Sequence, residues 1–269
     1  MKTTAIQIKN LSIGYPGKHG KKPVIAGLDA VIYSGELTCL LGANGVGKST
    51  LLRTLSGFQP QLTGEISIFG KPIETYSGKE LSQAVGIVLT EKVDVRDMTV
   101  FDLISLGRNP YTGFWGRLND IDEAVVNEAI TYLKIKELSD RLIHTLSDGE
   151  RQKVMIAKTL AQETPIIYLD EPTAFLDFPS KVEIMRFLHS LAVQQKKTIF
   201  LSTHDLELAL QIADKLWLMD KQKGLTVGTP DELRQNGALE DFFRCEGAYF
   251  DREMGLFRIE KEVSRLRST

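Results

Sequence analysis

The first 41 residues are rich in short apolar stretches that alternate with polar residues. Ile6 and Ile8 alternate in this way, which is typical of a strand with one buried face. Residues that favour turns follow and predict a break: Gly14, Pro16 and Gly17. Further short strands are expected at 24–25 and 30–33, and a mostly apolar strand is expected at 37–41. This part of the chain is therefore predicted to be β-rich.

The spacing of apolar residues changes in the middle of the chain. Strands are predicted at 64–70 and 84–89, where apolar runs lie beside glycines. From about 98 to 162 the apolar residues recur every three or four positions, which is the spacing of helices. Since strands return afterwards, this segment is predicted to be a helical insertion in an α/β core.

Strands and helices alternate in the remainder of the chain. The almost wholly apolar run at 166–170 is of the kind buried in parallel sheets. Further strands are predicted at 197–202 and 215–219, and helices at 182–191 and 206–212. This alternation favours a parallel sheet with right-handed crossovers. Near the end, a small hairpin around Gly255 and a solvated basic tail at 261–267 are expected.

Composition narrows the class of protein. The 269 residues are 42% hydrophobic and carry a net charge of -2, so no overall basic field supports nucleic-acid binding. Cys39 and Cys245 lie far apart and outside any C-x-x-C pair, which favours a reduced cytosolic setting. Because no run of roughly 18 apolar residues occurs, no membrane span is expected. The N-terminus lacks the long apolar core of a signal peptide, so none is expected.

One segment matches the phosphate-binding P-loop, G-x-x-x-x-G-K-[ST], between a predicted strand and a predicted helix. Its glycines let successive backbone N–H groups point at phosphate oxygens, and the helix adds its positive dipole end. Lys48 is expected to reach the β- and γ-phosphates of a nucleotide, and the Ser49 hydroxyl to bind Mg²⁺. The residues of the predicted loop are Gly42, Ala43, Asn44, Gly45, Val46, Gly47, Lys48, Ser49 and Thr50.

Two acidic residues end the apolar strand at 166–170. Asp170 is expected to lie beside the P-loop, where a carboxylate can hold Mg²⁺. Glu171 follows directly and is placed to orient or deprotonate an attacking water, as a general base does.

With these elements the chain resembles the ABC-type ATPases. Leu146-Ser147-Asp148-Gly149-Glu150 is similar to their L-S-G-G-Q signature, and it precedes the acidic strand as in that family. Tyr15 matches the aromatic residue that stacks on adenine, and His204 matches the switch histidine that senses the γ-phosphate. The run from Glu171 to Asp177 is similar to the segment from the catalytic glutamate through the D-loop.

The resemblance implies a fold, a mechanism and partners. The fold class is α/β, a P-loop NTPase with a RecA-like core, an antiparallel β subdomain and an inserted helical subdomain at about 92–162. Residues 1–240 would form the ATPase domain and 241–269 a carboxyl-terminal extension. Two copies would sandwich two ATP molecules, with Asp177 in the site and Ser147, Gly149 and Glu150 serving the partner's nucleotide.

Two departures from the family pattern stand out. Glu91 takes the place of a glutamine that touches Mg²⁺ and the transmembrane partner; a carboxylate still ligates Mg²⁺ but donates no hydrogen bond when ionised. Asp148 replaces the first signature glycine, and its charge is unfavourable near phosphate unless the side chain points away.

The segment at 98–111 resembles ATPase subunits of importers for iron–siderophore complexes, haem and cobalamin. The resemblance implies a peripheral protein at the cytoplasmic face of the inner membrane, docked on a permease and linked indirectly to a substrate-binding protein. Three alternatives remain open: an importer of another cargo, a soluble ABC ATPase acting in DNA repair, chromosome organisation or translation, and a P-loop phosphotransferase. The absence of a long coiled coil and of a second ATPase domain argues against the soluble ATPases. The signature and His204 argue against the phosphotransferase.

Overall fold

A six-stranded sheet forms the centre of the protein. The computed structural model describes residues 2–17, 20–89, 97–113, 115–244, 248–251 and 256–259. In the sheet, β3, β8, β7 and β6 run parallel in that order; β9 lies parallel on the other side of β3, and β10 pairs antiparallel with β9. Its strands are β3 (Leu37–Gly42), β6 (Val85–Val88), β7 (Ile166–Asp170), β8 (Thr198–Ser202), β9 (Lys215–Asp220) and β10 (Gly224–Gly228).

Helices connect these strands and cover the sheet. The first, α1 (Lys48–Leu55), follows β3 and turns its apolar residues inward, where Leu51, Leu52 and Leu55 are buried. The long helix between β7 and β8 is α6 (Phe178–Gln195). It begins at an Asp177 cap and has proline in its first turn, which is common at helix starts. The other helices outside the insertion are α2 (Gly78–Ala84), α7 (Leu206–Ile212), α8 (Pro230–Gln235) and α9 (Ala238–Phe242).

A second, antiparallel sheet contains β1 (Thr4–Gly17), β2 (Gly20–Tyr33), β4 (Thr63–Ile68) and β5 (Lys71–Pro72) in the order β2-β1-β4-β5. The prediction of several short strands before residue 34 was wrong, because β1 and β2 are each 14 residues long. Gly14 does not break β1; a Cβ there would lie 2.2 Å from the Lys22 carbonyl oxygen, so this glycine allows the two strands to approach.

The predicted helical insertion is present as α3 (Val100–Ser105), α4 (Asp120–Tyr132) and α5 (Asp148–Ala161). Each helix begins at a reciprocal capping box, in which the cap and the third helical residue bond each other's backbone N–H; the caps are Thr99, Asn119 and Ser147. Short 3₁₀ helices lie at Ile73–Thr75, Leu106–Arg108, Lys136–Leu138 and Ile143–Thr145.

Two apolar cores lie on opposite faces of the central sheet. One joins the sheet to α1 and the antiparallel sheet, and the other joins it to the insertion and to α6. Trp217 is fully buried in the first core, with its ring 4.8 Å from that of Phe200. None of the helices in the described part of the chain has the length and hydrophobicity that a membrane span requires.

The carboxyl-terminal strands pair as an antiparallel hairpin of β11 (Ala248–Asp251) and β12 (Leu256–Ile259). Phe250 is buried, and its ring lies 4.9 Å from that of Phe257. Phe257 in turn lies 5.5 Å from Phe243, just after α9. Aromatic contacts thus fasten the hairpin to the rest of the protein.

A buried cation holds parts of the insertion together. Arg108 is 4% exposed and donates to Asp122 at 2.9 Å, to the Ala161 carbonyl at 2.8 Å and to Glu163 at 2.6 Å. Its guanidinium also lies 4.1 Å from the centre of the Tyr111 ring. Because a buried charge is costly unless it is paired and hydrogen-bonded, these contacts fix the turn at 106–111 against the end of α5. The 98–111 segment thus has a clear structural role.

Gly107 sets the distance between that turn and α5, and we expect Gly107→Ala to destabilise the fold. A Cβ at this position would lie 2.2 Å from the Lys158 carbonyl oxygen and 3.1 Å from the Ala161 methyl group. Since the backbone at Lys158 cannot shift without strain, the free energy of unfolding should fall by about 2 kcal/mol, as measured by urea titration. Gly113→Ala is the control, because a Cβ there meets nothing within 4 Å. Equal midpoints for the two variants would contradict the expectation.

Candidate functional site

The three strands at the middle of the central sheet end at the same edge. β3 lies beside β8, and β8 beside β7, all parallel. The loop after β3 is the predicted P-loop, β7 ends at Asp170, and His204 lies two residues beyond β8. Residues far apart in sequence therefore meet at the carboxyl edge of the sheet, where open α/β sheets bind ligands.

The loop between β3 and α1 has the backbone of an anion site. Gly45 and Gly47 have φ angles of 71° and 120°, which side-chain-bearing residues rarely adopt. No side chain caps the first turn of α1, so the N–H groups at its positive end are available to a ligand. Ser49 is exposed at this helix start. The loop therefore fits a phosphate group.

The Lys48 ammonium is buried at this edge. Its Nζ donates to the Gly42 carbonyl at 3.0 Å and lies 3.7 Å from Glu171 Oε1. Burial lowers the pKa of Lys48, while the nearby Glu171 and Asp170 carboxylates act in the opposite direction. The lysine is thus a poorly hydrated cation held where phosphate oxygens would enter.

Glu171 and His204 are in direct contact. His204 Nε2 lies 2.6 Å from Glu171 Oε1 and 3.1 Å from Lys48 Nζ. One nitrogen cannot donate to Glu171 and accept from Lys48 at once, so the tautomer of His204 selects which hydrogen bond forms. Glu171 also has a φ of 48°, a strained conformation that is common at functional sites.

Ser202 positions both acids, a role that the sequence analysis missed. Its hydroxyl donates to Asp170 Oδ1 at 2.6 Å and accepts from the Glu171 backbone N–H at 2.9 Å. Ser202 stands in the run Ser202-Thr203-His204-Asp205, where only the histidine was given a role. A small polar residue facing the acidic strand end from the neighbouring strand was the available signal.

A small cleft opens beside Glu171 and His204. An ion pair forms part of its lining, with Lys181 Nζ 2.7 Å from Asp205 Oδ2. The remaining lining residues are Thr173, Ala174 and Thr203. Charged groups of both signs thus surround a space of about 180 Å³ next to the buried lysine.

Tyr15 lies beside the P-loop helix. Its hydroxyl is 3.1 Å from the Thr50 hydroxyl, and half of its side chain is exposed. The structure therefore brings the predicted adenine-stacking residue to the same region as Lys48.

The signature residues lie elsewhere in the chain. The hydrogen bonds recorded for Ser147 stay within the first turn of α5, where it caps the helix with Glu150. A Cβ on Gly149 would be 3.9 Å from Leu176, so this turn lies beside the segment that carries Asp177. Asp177 caps α6, and the hydrogen bonds from Ser180 hold its pKa below the ordinary value. Glu91, the third predicted Mg²⁺ residue, lies outside the described residues.

Comparison with known proteins decides the family. The model of the ABC transporter family matches residues 25–174, more than half of the chain. The chain belongs to the ABC transporter ATP-binding family. The match begins in β2 and ends just beyond Glu171, so it includes the P-loop, the signature and the acidic strand end.

Relatives extend the similarity over most of the chain. An uncharacterized ABC transporter ATP-binding protein of Methanocaldococcus jannaschii is 36% identical over 95% of this chain and 87% of its own length. The ferric enterobactin transport ATP-binding protein FepC of Escherichia coli is 35% identical over 88% of this chain and 87% of its own length. A solved metal-chelate type ABC transporter in an inward-facing conformation is 28% identical, with a TM-score of 0.74, over 86% of this chain and 85% of that one.

Membership in this family confirms the predicted fold and activity. The P-loop ABC fold, with its α/β sheet, antiparallel sheet and helical subdomain, is the one observed. As an ABC ATPase, the chain binds ATP and hydrolyses it to ADP and phosphate, and this reaction is coupled to transport.

Proposed function

We propose that this ATPase energises the import of an iron chelate of the siderophore type, or of haem or cobalamin, through a separate membrane permease. The observation that carries the proposal is the similarity, over nearly nine-tenths of the chain, to a ferric enterobactin transport ATPase. The resemblance of the 98–111 segment to this importer group supports it. An importer of another cargo is the alternative.

Within each site we propose that Lys48 holds the β- and γ-phosphates and Tyr15 stacks on the adenine. Glu171 accepts the proton of the attacking water, and His204, 2.6 Å away, orients that carboxylate and contacts the γ-phosphate. Lys48 offsets the negative charge of the phosphates from a buried position, where electrostatic interactions are stronger than in water.

Mg²⁺ would be held by Ser49, by Asp170 and by residue 91. These are hard oxygen donors, which Mg²⁺ prefers, and Ser202 fixes the Asp170 carboxylate at the strand end. Among the described residues no cluster of three carboxylate, imidazole or thiol groups is arranged to hold a metal ion by itself, so phosphate and water would complete the coordination shell. Bound Mg²⁺ would offset negative charge on the phosphates.

We propose that two copies close face to face, so that Ser147, Gly149 and Glu150 of one copy meet the nucleotide bound by the other, near Asp177. The placement of Ser147 at the start of α5, a different helix from the one that Lys48 begins, supports this, because a helix N-terminus favours an anion. In this arrangement residues 1–240 act as the ATPase domain and 241–269 as an extension.

The insertion is proposed to dock on the permease at the cytoplasmic face of the membrane, which places the chain there as a peripheral subunit. Trp115 is 82% exposed and Ile121 is 71% exposed, both near the start of α4. Exposed apolar residues of this size are common at protein interfaces. A substrate-binding protein would act only indirectly, through the permease.

The test is uptake into membrane vesicles that contain this chain and its permease, in the presence of the substrate-binding protein. We expect ATP-dependent accumulation of one labelled class among ferric siderophores, haem and cobalamin, with no accumulation by Glu171→Gln. Accumulation of none of the three would reject the cargo class. Co-purification with ribosomes or DNA instead of the permease would favour a soluble, non-transport ATPase.

A further inference from the structure

The hydroxyl of Ser147 is already engaged within its own chain. Its Oγ donates to Glu150 Oε2 at 2.8 Å and accepts from the Glu150 backbone N–H at 3.3 Å. The Ser147 backbone N–H donates to the same carboxylate oxygen at 2.8 Å. A hydroxyl has one proton, so Ser147 can donate to a phosphate only by sharing or leaving Glu150.

The first turn of α5 also carries negative charge. Glu150 is held ionised, since the Ser147 backbone N–H and then the Ser147 hydroxyl keep its pKa below the ordinary value, with Arg141 adding to the effect. Asp148 lies in the same turn. A triphosphate that approaches two carboxylates meets repulsion, which opposes the attraction of the helix dipole.

Arg141 provides the compensating contact. Its Nη1 donates to Glu150 Oε1 at 3.2 Å, on the carboxylate oxygen that Ser147 does not use. Its Nη2 donates to the Thr145 carbonyl oxygen at 2.6 Å, which anchors the guanidinium on the turn that leads into Ser147. The cation is thus fixed beside the carboxylate from outside the helix.

We propose that Arg141 is a positioning residue for ATP-driven closure of the dimer, a role that rests on the proposed pairing of two copies. By holding and neutralising Glu150, Arg141 keeps the capping box in place and lets the partner's terminal phosphate approach Ser147. The substrate group recognised by this arrangement is the triphosphate of a nucleotide bound to a second copy of this chain.

If Arg141 served only the stability of the fold, its removal would lower the thermal midpoint, whereas a positioning residue should leave that midpoint unchanged. The side chains of Arg141 and Glu150 are 41% and 33% exposed, and exposed ion pairs contribute little to folding. Removing Arg141 should therefore leave the thermal midpoint unchanged. It should also leave the ATP affinity of the monomer unchanged, since Arg141 lies outside the contacts of Lys48 described above.

The experiment measures the dissociation constant of the ATP-bound dimer by sedimentation, with Glu171→Gln in every protein to prevent turnover. Arg141→Ala should weaken the dimer about tenfold, because the uncompensated Glu150 carboxylate then repels the partner's triphosphate. Arg141→Lys, which keeps the charge, should recover most of the affinity. The ATP affinity of the monomer is measured with labelled ATP at protein concentrations below the dissociation constant of the dimer.

A double-mutant cycle with Glu150→Gln isolates the mechanism. An amide at 150 still caps Ser147 but carries no charge, so Arg141→Ala should then change the dimer constant by less than about twofold. Lys153→Gln is the matched control, because it removes another exposed ion pair of the same helix, to Glu183 at 2.8 Å. This control should leave the dimer constant unchanged.

The outcomes separate the two proposals. The reference protein carries Glu171→Gln alone. If it stays monomeric with saturating ATP, the proposed pairing is wrong and the role of Arg141 falls with it. A reference protein that dimerises normally while Arg141→Ala has no effect, or has the same effect with Glu or Gln at 150, overturns the role of Arg141 alone.

Discussion

Replacing Glu171 with Gln is expected to slow ATP hydrolysis by about 10³-fold, the usual contribution of a general base. The amide has the same shape and can keep a hydrogen bond to His204, which lies 2.6 Å from the Glu171 carboxylate. It cannot take a proton from water. Nucleotide binding should survive, because Lys48 and the P-loop are untouched, and the ATP-bound dimer should therefore accumulate.

Phosphate release and size-exclusion chromatography with ATP measure these two effects. Glu183→Gln makes the same chemical change on α6, where the carboxylate is 55% exposed and pairs with Lys153, and it should behave as wild type. Near-normal turnover by Glu171→Gln would remove Glu171 as the proton acceptor.

Replacing Lys48 with Ala is expected to weaken ATP binding by about 10²-fold, equivalent to about 2.7 kcal/mol. The loss has two parts. The ammonium no longer bonds the phosphates, and the Glu171 and Asp170 carboxylates remain at the sheet edge without their buried counter-charge. Both changes disfavour a triphosphate.

Isothermal titration with ATP and Mg²⁺ checks this expectation. Lys79→Ala removes an exposed lysine at the start of α2 and is the control for the loss of net charge. Wild-type affinity in Lys48→Ala would contradict the assignment of the P-loop.

Local patterns were sufficient to predict the insertion and the parallel strands of the central sheet, whereas its antiparallel edge strand β10 was not predicted. The apolar run at 166–170 and the helical spacing at 206–212 each became the predicted element, because burial on both faces or on one face leaves a direct trace in the sequence. The P-loop was predictable because its glycines and Lys48 are consecutive.

The antiparallel sheet was harder to predict because its strand lengths depend on long-range pairing. β1 pairs with both β2 and β4, and its register shifts after Ile8 and Leu11. Asn10 and Gly27, with positive φ, lie near these irregularities. Turn-forming residues inside such a strand look like strand ends until the partner strand is known.

The detailed contacts of the site were also beyond local patterns. Ser202 meets Asp170 only because β8 lies beside β7, and Arg141 meets Glu150 only because the 143–145 turn folds back on α5. Neither contact has a sequence spacing that would predict it. The acids at 170 and 171 were predictable, whereas the groups that orient them were not.

The two tryptophans of the chain occupy opposite environments, since Trp217 is sealed in the core and Trp115 is almost entirely exposed. Their fluorescence should therefore separate by colour and by accessibility to acrylamide, with the bluer, protected emission coming from Trp217. If the insertion docks as proposed, the longer-wavelength emission of Trp115 will lose its sensitivity to acrylamide when the transporter assembles. The protein thus contains a natural optical reporter of complex formation that requires no label.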